Sequence, residues 1–256
     1  MSLLKHFFSK TKYRISQGAH IAWNLDEYLN WRREMPLIKF SHDRVQTETG
    51  TYGCLDDWLV GSDSDIGGKS TASLELTPEG TGMFHGNISQ HLLDHLEVKV
   101  HGYAAIKSKF LNKTFLSEEL WDTSDFRYLA LRLRGSDGKN GAPPPRRFSV
   151  NIKTDGFVPT DLFQHRLFLN RPGSWETVLI PFQDFVLTNE GRVVPRQMYM
   201  NRQKIASIGI ALLDNQVGPF RLEIEWIKAF NTDFTDADVD QVPYKYLKDP
   251  STLSSV

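Results

Sequence analysis

Apolar and polar residues alternate with a period of two through much of this chain. Leu129, Leu131 and Leu133 interleave with Arg132 and Arg134. Phe148, Val150 and Ile152 interleave with Ser149, Asn151 and Lys153. Leu222, Ile224 and Trp226 interleave with Arg221, Glu223 and Glu225. Successive side chains of a strand point to opposite faces, so such alternation predicts sheets with one buried and one wet face. The clearest pieces are 148–154 (FSVNIKT), 175–187 (WETVLIPFQDFVL), 205–213 (IASIGIALL) and 220–230 (FRLEIEWIKAF). Strands are predicted near 70–77, 82–88, 95–110, 127–135, 147–154, 164–170, 175–181, 205–213 and 219–230, separated by Gly, Pro, Asn and Asp turns. About nine short strands without long intervening helices point to an all-β jelly-roll sandwich.

The flanks read differently. Asn24 can cap a short N-terminal helix, with Asp26 and Glu27 at the positive end of its dipole, running to about Glu34 and stopping before Pro36. Leu3, Leu4, Phe7 and Phe8 share one helical face. Lys5, Lys10, Lys12 and Arg14 accompany them, and no acid occurs in residues 1–25, the pattern of a mitochondrial targeting segment. Residues 233–256 form an acidic tail holding Asp233, Asp236, Asp238 and Asp240. The expected organisation is a basic or targeting segment (1–20), a helix and extension (21–57), a sandwich (58–232) and the tail (233–256). Within the sandwich, 136–147 (SDGKNGAPPPRR) reads as a long exposed loop.

Bulk properties narrow the function. The net charge of −1 gives no global attraction to nucleic acid, and no recognition motif for it is present. One cysteine, Cys54, excludes an internal disulfide and suits a reducing compartment. The longest apolar run, 205–213, is nine residues, against the roughly 20 a spanning helix needs. Charge is polarised, however. Residues 126–171 hold nine Lys/Arg against three Asp, and 205–240 hold two against seven acids. Arg132, Arg134, Arg146 and Arg147 could form a patch for an acidic protein or an anionic membrane surface.

Catalytic and metal motifs are incomplete. Gly68-Lys69-Ser70 ends like a phosphate loop, but Asp63 stands where the first glycine belongs and a strand follows. Asp63, Asp65 and Gly67 suggest a calcium loop, but Gly is one position early and Leu74 stands where its closing Glu belongs. His85, His91, His95 and His101 cluster without the Glu of a zinc protease, since Leu92 occupies that place. There is no Gly-x-Ser-x-Gly elbow. No catalytic residue, metal or cofactor is assigned. Trp58, Trp121, Trp175 and Trp226 are expected to pack into the core or its rim rather than form a sugar platform. The turn region 154–165 (TDGFVPTDLFQH) concentrates Asp155, Thr160, Asp161, Gln164 and His165, and offers a recognition edge.

The stretch NIKTDGFVPTDLFQHRLFLNRPGSWETVLIPFQDFVLTNEGRVV, the later KIASIGIALLDNQVGPFRLEIEWIKAF and the upstream DSDIGGKSTASLELTPEGTGMFHGNIS together resemble the complex I intermediate-associated protein family over roughly 55–230. That resemblance implies a galactose-binding-like domain, similar to some carbohydrate-binding modules. It implies a non-catalytic, chaperone-like adaptor for assembling mitochondrial NADH:ubiquinone oxidoreductase. It further implies a site of action at the matrix face of the inner membrane, on a membrane-arm intermediate and beside other assembly factors. The expected partner-binding residues are then Arg132, Arg134, Arg146, Arg147, Asp155, Thr160, Asp161, Gln164 and His165, with anionic inner-membrane lipid as a further contact. The competing expectation is a carbohydrate-binding module, which needs at least two exposed aromatics on one concave face.

Overall fold

A computed structural model describes residues 34–42, 45–47, 50–52, 55–90, 102–109, 111–114, 117–156 and 158–232. In chain order the strands are β1 (Glu34–Lys39), β2 (Val45–Thr47), β3 (Gly50–Tyr52), β4 (Trp58–Ser62), β5 (Thr71–Leu76), β6 (Gly82–Ile88), β7 (Ala104–Ser108), β8 (Leu111–Thr114) and β9 (Ser117–Glu119). They continue with β10 (Tyr128–Gly135), β11 (Phe148–Thr154), β12 (Asp161–Arg166), β13 (Glu176–Pro181), β14 (Val186–Asn189), β15 (Arg192–Val193), β16 (Ile205–Leu212) and β17 (Gly218–Phe230). Two antiparallel sheets pack face to face. One runs β13-β10-β17-β6-β5, with β1 also on β17; the other runs β15-β14-β12-β11-β16-β7-β4. The all-β sandwich expected from the alternation is therefore present.

The apolar half of each alternating strand makes the core. Leu129, Leu131 and Leu133 from β10 and Phe220, Leu222 and Ile224 from β17 are fully buried, as are Val150 and Ile152 from β11 and Ile208, Ile210 and Leu212 from β16. Phe84, Phe148 and Phe220 meet between the sheets, with ring centroids 4.9–6.3 Å apart. Removing one of these side chains to alanine costs about 2–5 kcal/mol, through lost transfer energy and the cavity left behind.

Two boundaries are corrected, the start of the sandwich and the strand expected at 164–170. The sandwich takes in β1, well upstream of Trp58: Glu34 pairs with Phe230 and Lys39 with Trp226. Segment 34–40 (EMPLIKF) hides its strand because a bulge between Pro36 and Ile38 breaks the alternation and buries the neighbours Leu37 and Ile38 together. The helix expected from Asn24 lies outside the described residues, apart from Glu34, which is strand. The strand expected at 175–181 is present as β13 (Glu176–Pro181), and the rest of 175–187 continues past it. β13 belongs to the first sheet, the chain turns through a short 3-10 segment at Phe182–Asp184, and β14 joins the second sheet. The strand expected at 164–170 instead spans Asp161–Arg166, with Phe163 paired to Ile152. Of 95–110, the described strand is Ala104–Ser108.

Trp226 also leaves the set to which its spacing assigned it. Arg132 pairs with Trp226 and Leu133 with Ile224, so Glu225 is an extra residue on β17. A bulge of one residue exchanges the two faces from that point on. Ile227 and Ala229 take over the core positions, and Trp226 joins Tyr128, Ala130, Leu179 and Phe230 in a second apolar cluster on the other face. The remaining tryptophans divide as well. Trp58 and Trp121 are buried in the main core, and the Trp58 ring stacks 5.1 Å from Phe40. Trp175 lies beside Arg132 and Arg134.

Candidate partner-binding surfaces

The turn between β11 and β12 is closed by its own side chains. Lys153 Nζ donates to the carbonyls of Val158 (2.8 Å), Pro159 (2.8 Å) and Asp161 (3.1 Å). Burial holds the Lys153 ammonium below the usual lysine range. Asn189 Nδ2, from β14, donates to Thr160 Oγ1 and Asp161 Oδ1, both at 2.8 Å. Lys204 reaches Asp155 at 3.3 Å. Asp155, Thr160 and Asp161 thus share one exposed corner, and their polar groups define its shape. Strand alternation then separates the last two candidates. Gln164 is on the outer face, donating to Ser149 Oγ at 3.1 Å, whereas His165 pairs with Val150 and faces Phe185 and Phe168. His165 therefore stands apart from the edge that its neighbour belongs to. We expect Lys153→Met to speed amide exchange at 158–161 severalfold while leaving β16 and β17 protected, because hydrogen bonds from one charged donor tie all three carbonyls. Unchanged exchange there would show that the corner holds without Lys153.

The four candidate arginines do not form one patch. Arg132 and Arg134 project from the outer face of β10. The guanidinium of Arg134 sits 4.8 Å from the Trp175 ring centroid and that of Arg132 5.8 Å. Arg134 ion-pairs with Glu223, and Arg221 reaches the same carboxylate at 2.6 Å. Arg132 lies 3.6 Å from Glu225 and is itself buried. This is a mixed aromatic and ionic ladder, close to neutral, with Trp226 and Lys228 continuing it at 4.6 Å.

Arg146 is a correction to the expected patch. Its side chain and that of Asp214 are each 1% exposed, and they form a two-pronged ion pair at 2.7 and 2.8 Å. The guanidinium also donates to the carbonyls of Gln216, Gly218 and Pro219. All of its charge is directed at the 214–219 loop, so it has none to offer a partner. Arg147, next in sequence, is exposed and is the one residue of the four that faces solvent freely. The sequence signal for this division was available in principle: 214–219 (DNQVGP) supplies the acid and the bend that a buried arginine needs.

The phosphate-loop and calcium-loop candidates converge on one buried group. Asp63 is 0% exposed. Its Oδ1 accepts from the Ser70 N–H at 2.8 Å and its Oδ2 from the Gly102 N–H at 2.6 Å, while its carbonyl accepts from Gly68 N–H at 2.8 Å. A Cβ on Gly68 would lie 2.2 Å from the Asp63 carboxyl carbon. The glycines and the aspartate of DSDIGGKS are thus required to tie two loops together. Burial, aided by Asp65 and Asp63, pushes the neighbouring Tyr103 hydroxyl up. His85 is 3.2 Å from Glu75, while His91, His95 and His101 lie outside the described residues, as does Cys54. Among the described residues no three metal-ligating side chains gather.

The outer face of the second sheet is paved mainly by small and polar side chains, with the exposed Leu59 and Val186 toward its edges. One cross-strand row reads Gly61, Ala105, Ala211, Ser149, Arg166, and the next reads Leu59, Lys107, Gly209, Asn151, Gln164, Val186. Neither row contains an aromatic ring on which a sugar could stack.

A cavity of about 510 Å³ opens at the far end of β10 and β13. Arg127, Tyr128, Pro181, Phe182, Gln183, Tyr199, Met200 and Arg202 line it. Its frame is fixed by backbone bonds: Phe182 N–H to Arg127 O, Thr123 N–H to Arg202 O, and Arg127 N–H to the Asn231 side chain. Sequence reasoning passed over this site. The signal was segment 195–203 (PRQMYMNRQ), which has no strand pattern, no acid, and a Met-Tyr-Met run between arginines. The run's exposure is the tertiary fact: Met198 is 60% exposed and Tyr199 fully so.

The class of molecule follows from these parts. It is an all-β sandwich whose polar side chains shape loops and edges. A family model described as complex I intermediate-associated protein 30 matches residues 45–224. A relative of that name from Neurospora crassa is 39% identical over 202 residues, covering 70% of this chain and 69% of its own length. The Drosophila melanogaster relative is 36% identical over 218 residues, covering 79% and 71%. The mouse relative is 34% identical over 180 residues, covering 69% of this chain and 52% of its own. The chain belongs to the complex I intermediate-associated protein 30 (CIA30) family. Among solved structures, a family 11 carbohydrate-binding module of Clostridium thermocellum aligns with TM-score 0.48 and 17% identity, over 78% of this chain and 95% of the module. A family 30 carbohydrate-binding module aligns with TM-score 0.41 and 11% identity, over 86% and 94%.

Proposed function

We propose that this chain is a non-catalytic assembly factor for mitochondrial respiratory complex I. It binds a membrane-arm intermediate from the matrix side, together with other assembly factors, and presents shape and charge rather than reactive groups. The observation that carries this is the family match over 45–224, which takes in almost the whole described sandwich. The relatives are named mitochondrial complex I intermediate-associated proteins. The association with the inner membrane is proposed as peripheral; among the described residues no helix is long and apolar enough to cross a membrane. Exposed corners on a rigid sandwich, such as the one at Asp155, Thr160 and Asp161, are where recognition is expected to sit. Contact with anionic lipid has less support, because Arg132, Arg134 and Arg146 face Glu225, Glu223 and Asp214, and Arg147 is left alone.

Deleting the gene is expected to leave complex I subunits in subassemblies on native gels, with mature complex restored by the intact chain. Normal complex I in the deletion strain would refute the proposal.

A further inference from the structure

The cavity at Arg127, Tyr199 and Arg202 contains a cation poised for an anion. Arg202 is half-buried and its Nη1 donates to the Phe126 carbonyl. Its guanidinium lies 5.9 Å from the Phe182 ring, and among the described residues it meets no carboxylate. A guanidinium has five N–H donors in a rigid fork suited to carboxylate. Here one bond is made to a neutral acceptor, and the residue lines a cavity of about 510 Å³. The guanidinium of Arg127, also lining the cavity, sits 5.7 Å from the Tyr128 ring. Met200 lines the cavity partly buried, Tyr128 and Phe182 are buried behind its wall, and Tyr199 stands fully exposed. Its volume falls in the range of about 300–1,000 Å³ seen for ligand sites. Tyr, Met and Arg are the residues enriched where polypeptides meet.

We infer that this cavity is a docking site for an acidic segment of a partner polypeptide. A carboxylate of the segment pairs with Arg202, and an adjoining apolar side chain rests on Met200 and Tyr199. A polypeptide fits better than a small anion because the exposed Tyr199 and Met198 extend the contact beyond the cavity. It fits better than a membrane because Arg202, the cation it pairs with, is half-buried beside the Phe182 ring. The inference rests on the scaffold role proposed above and names where on the sandwich a partner is held.

The test uses the full chain and a fluorescein-labelled peptide, Gly-Asp-Asp-Phe-Asp-Asp-Leu-Gly, with a control in which Asn replaces every Asp. Fluorescence anisotropy should show binding of the acidic peptide, weakened by added salt, and little binding of the control. Arg202→Gln should reduce affinity at least about tenfold. Because Arg202 also braces Phe126, Tyr199→Ala gives a second variant: that side chain is fully exposed, so the melting temperature should hold while affinity drops severalfold. Arg147→Gln, outside the cavity, should change nothing. Equal binding of both peptides, or affinity indifferent to Arg202→Gln and Tyr199→Ala, would overturn the inference. So would displacement by millimolar inorganic phosphate, which marks a small-anion site. Arg202-dependent capture on cardiolipin vesicles without peptide binding would replace the polypeptide by lipid. Loss of peptide binding with intact complex I assembly would sink this site alone, and the deletion phenotype remains a separate test of the assembly role.

Discussion

Asp214→Ala is expected to lower the unfolding free energy by about 3–5 kcal/mol, among the largest effects available outside the apolar core. The substitution leaves the Arg146 guanidinium, 1% exposed, with no counter-charge in the interior. Desolvating an unpaired cation is what makes the loss large; the intact pair itself is nearly balanced between Coulomb gain and dehydration. The double substitution Arg146→Met with Asp214→Leu should therefore recover most of the loss. Urea unfolding followed by tryptophan fluorescence measures both. A single variant within about 1 kcal/mol of the parent would show that the guanidinium reaches water another way.

The same pair sets an acid limit. Burial alone would push the Asp214 carboxyl up, but Arg146 and the N–H groups of Gln216 and Arg147 outweigh it and hold the group below the usual carboxylate range. A carboxyl whose folded pKa is depressed contributes stability that is full above its unfolded value, near 3.9, and is lost as pH falls through the lower folded value. The parent should thus lose stability in strong acid, and the double variant should show a shallower loss in that window. Parallel acid profiles for the two would contradict this assignment.

Asp63→Ala is the second large effect. Two buried N–H groups, of Ser70 and Gly102, lose their acceptor together. Each stranded donor costs about 1–3 kcal/mol, so the sum is roughly 2–6 kcal/mol. Gly68→Ala should be comparably damaging for a different reason, since its new Cβ would drive into the Asp63 carboxyl 2.2 Å away. Calcium in millimolar excess should rescue neither variant nor raise the parent's melting temperature, because both oxygens of Asp63 already accept N–H groups. A calcium-dependent rise in melting temperature would restore the metal-loop interpretation.

The strands of the core were readable where their alternation is strict: 129–133, 148–152 and 208–212 bury the side chains their periodicity selects. Where the period slips, the sequence misleads. Leu37 and Ile38 are consecutive and both buried, so 34–40 gave no strand signal, although β1 seals one flank of β17. Trp226 kept step with Leu222 and Ile224 along the chain, yet the bulge at Glu225 turns it outward. The candidate residues were chosen as polar groups in turns. Three of them, Asp155, Thr160 and Asp161, do share one corner, while alternation along β12 sends Gln164 and His165 to opposite faces.

The chain's own residues determined an all-β fold, its family and the loops that matter, since those depend on local periodicity and on ordered motifs such as DSDIGGKS. Partner assignments over long separations were decided by the tertiary structure alone. Arg146 finds Asp214 68 residues away, Asp63 finds Gly102 39 residues away, and Arg127 meets Arg202 across one cavity. A side chain's charge is written in the sequence, but whether it is neutralised, buried or offered to a ligand depends on which distant strand the sheets bring beside it.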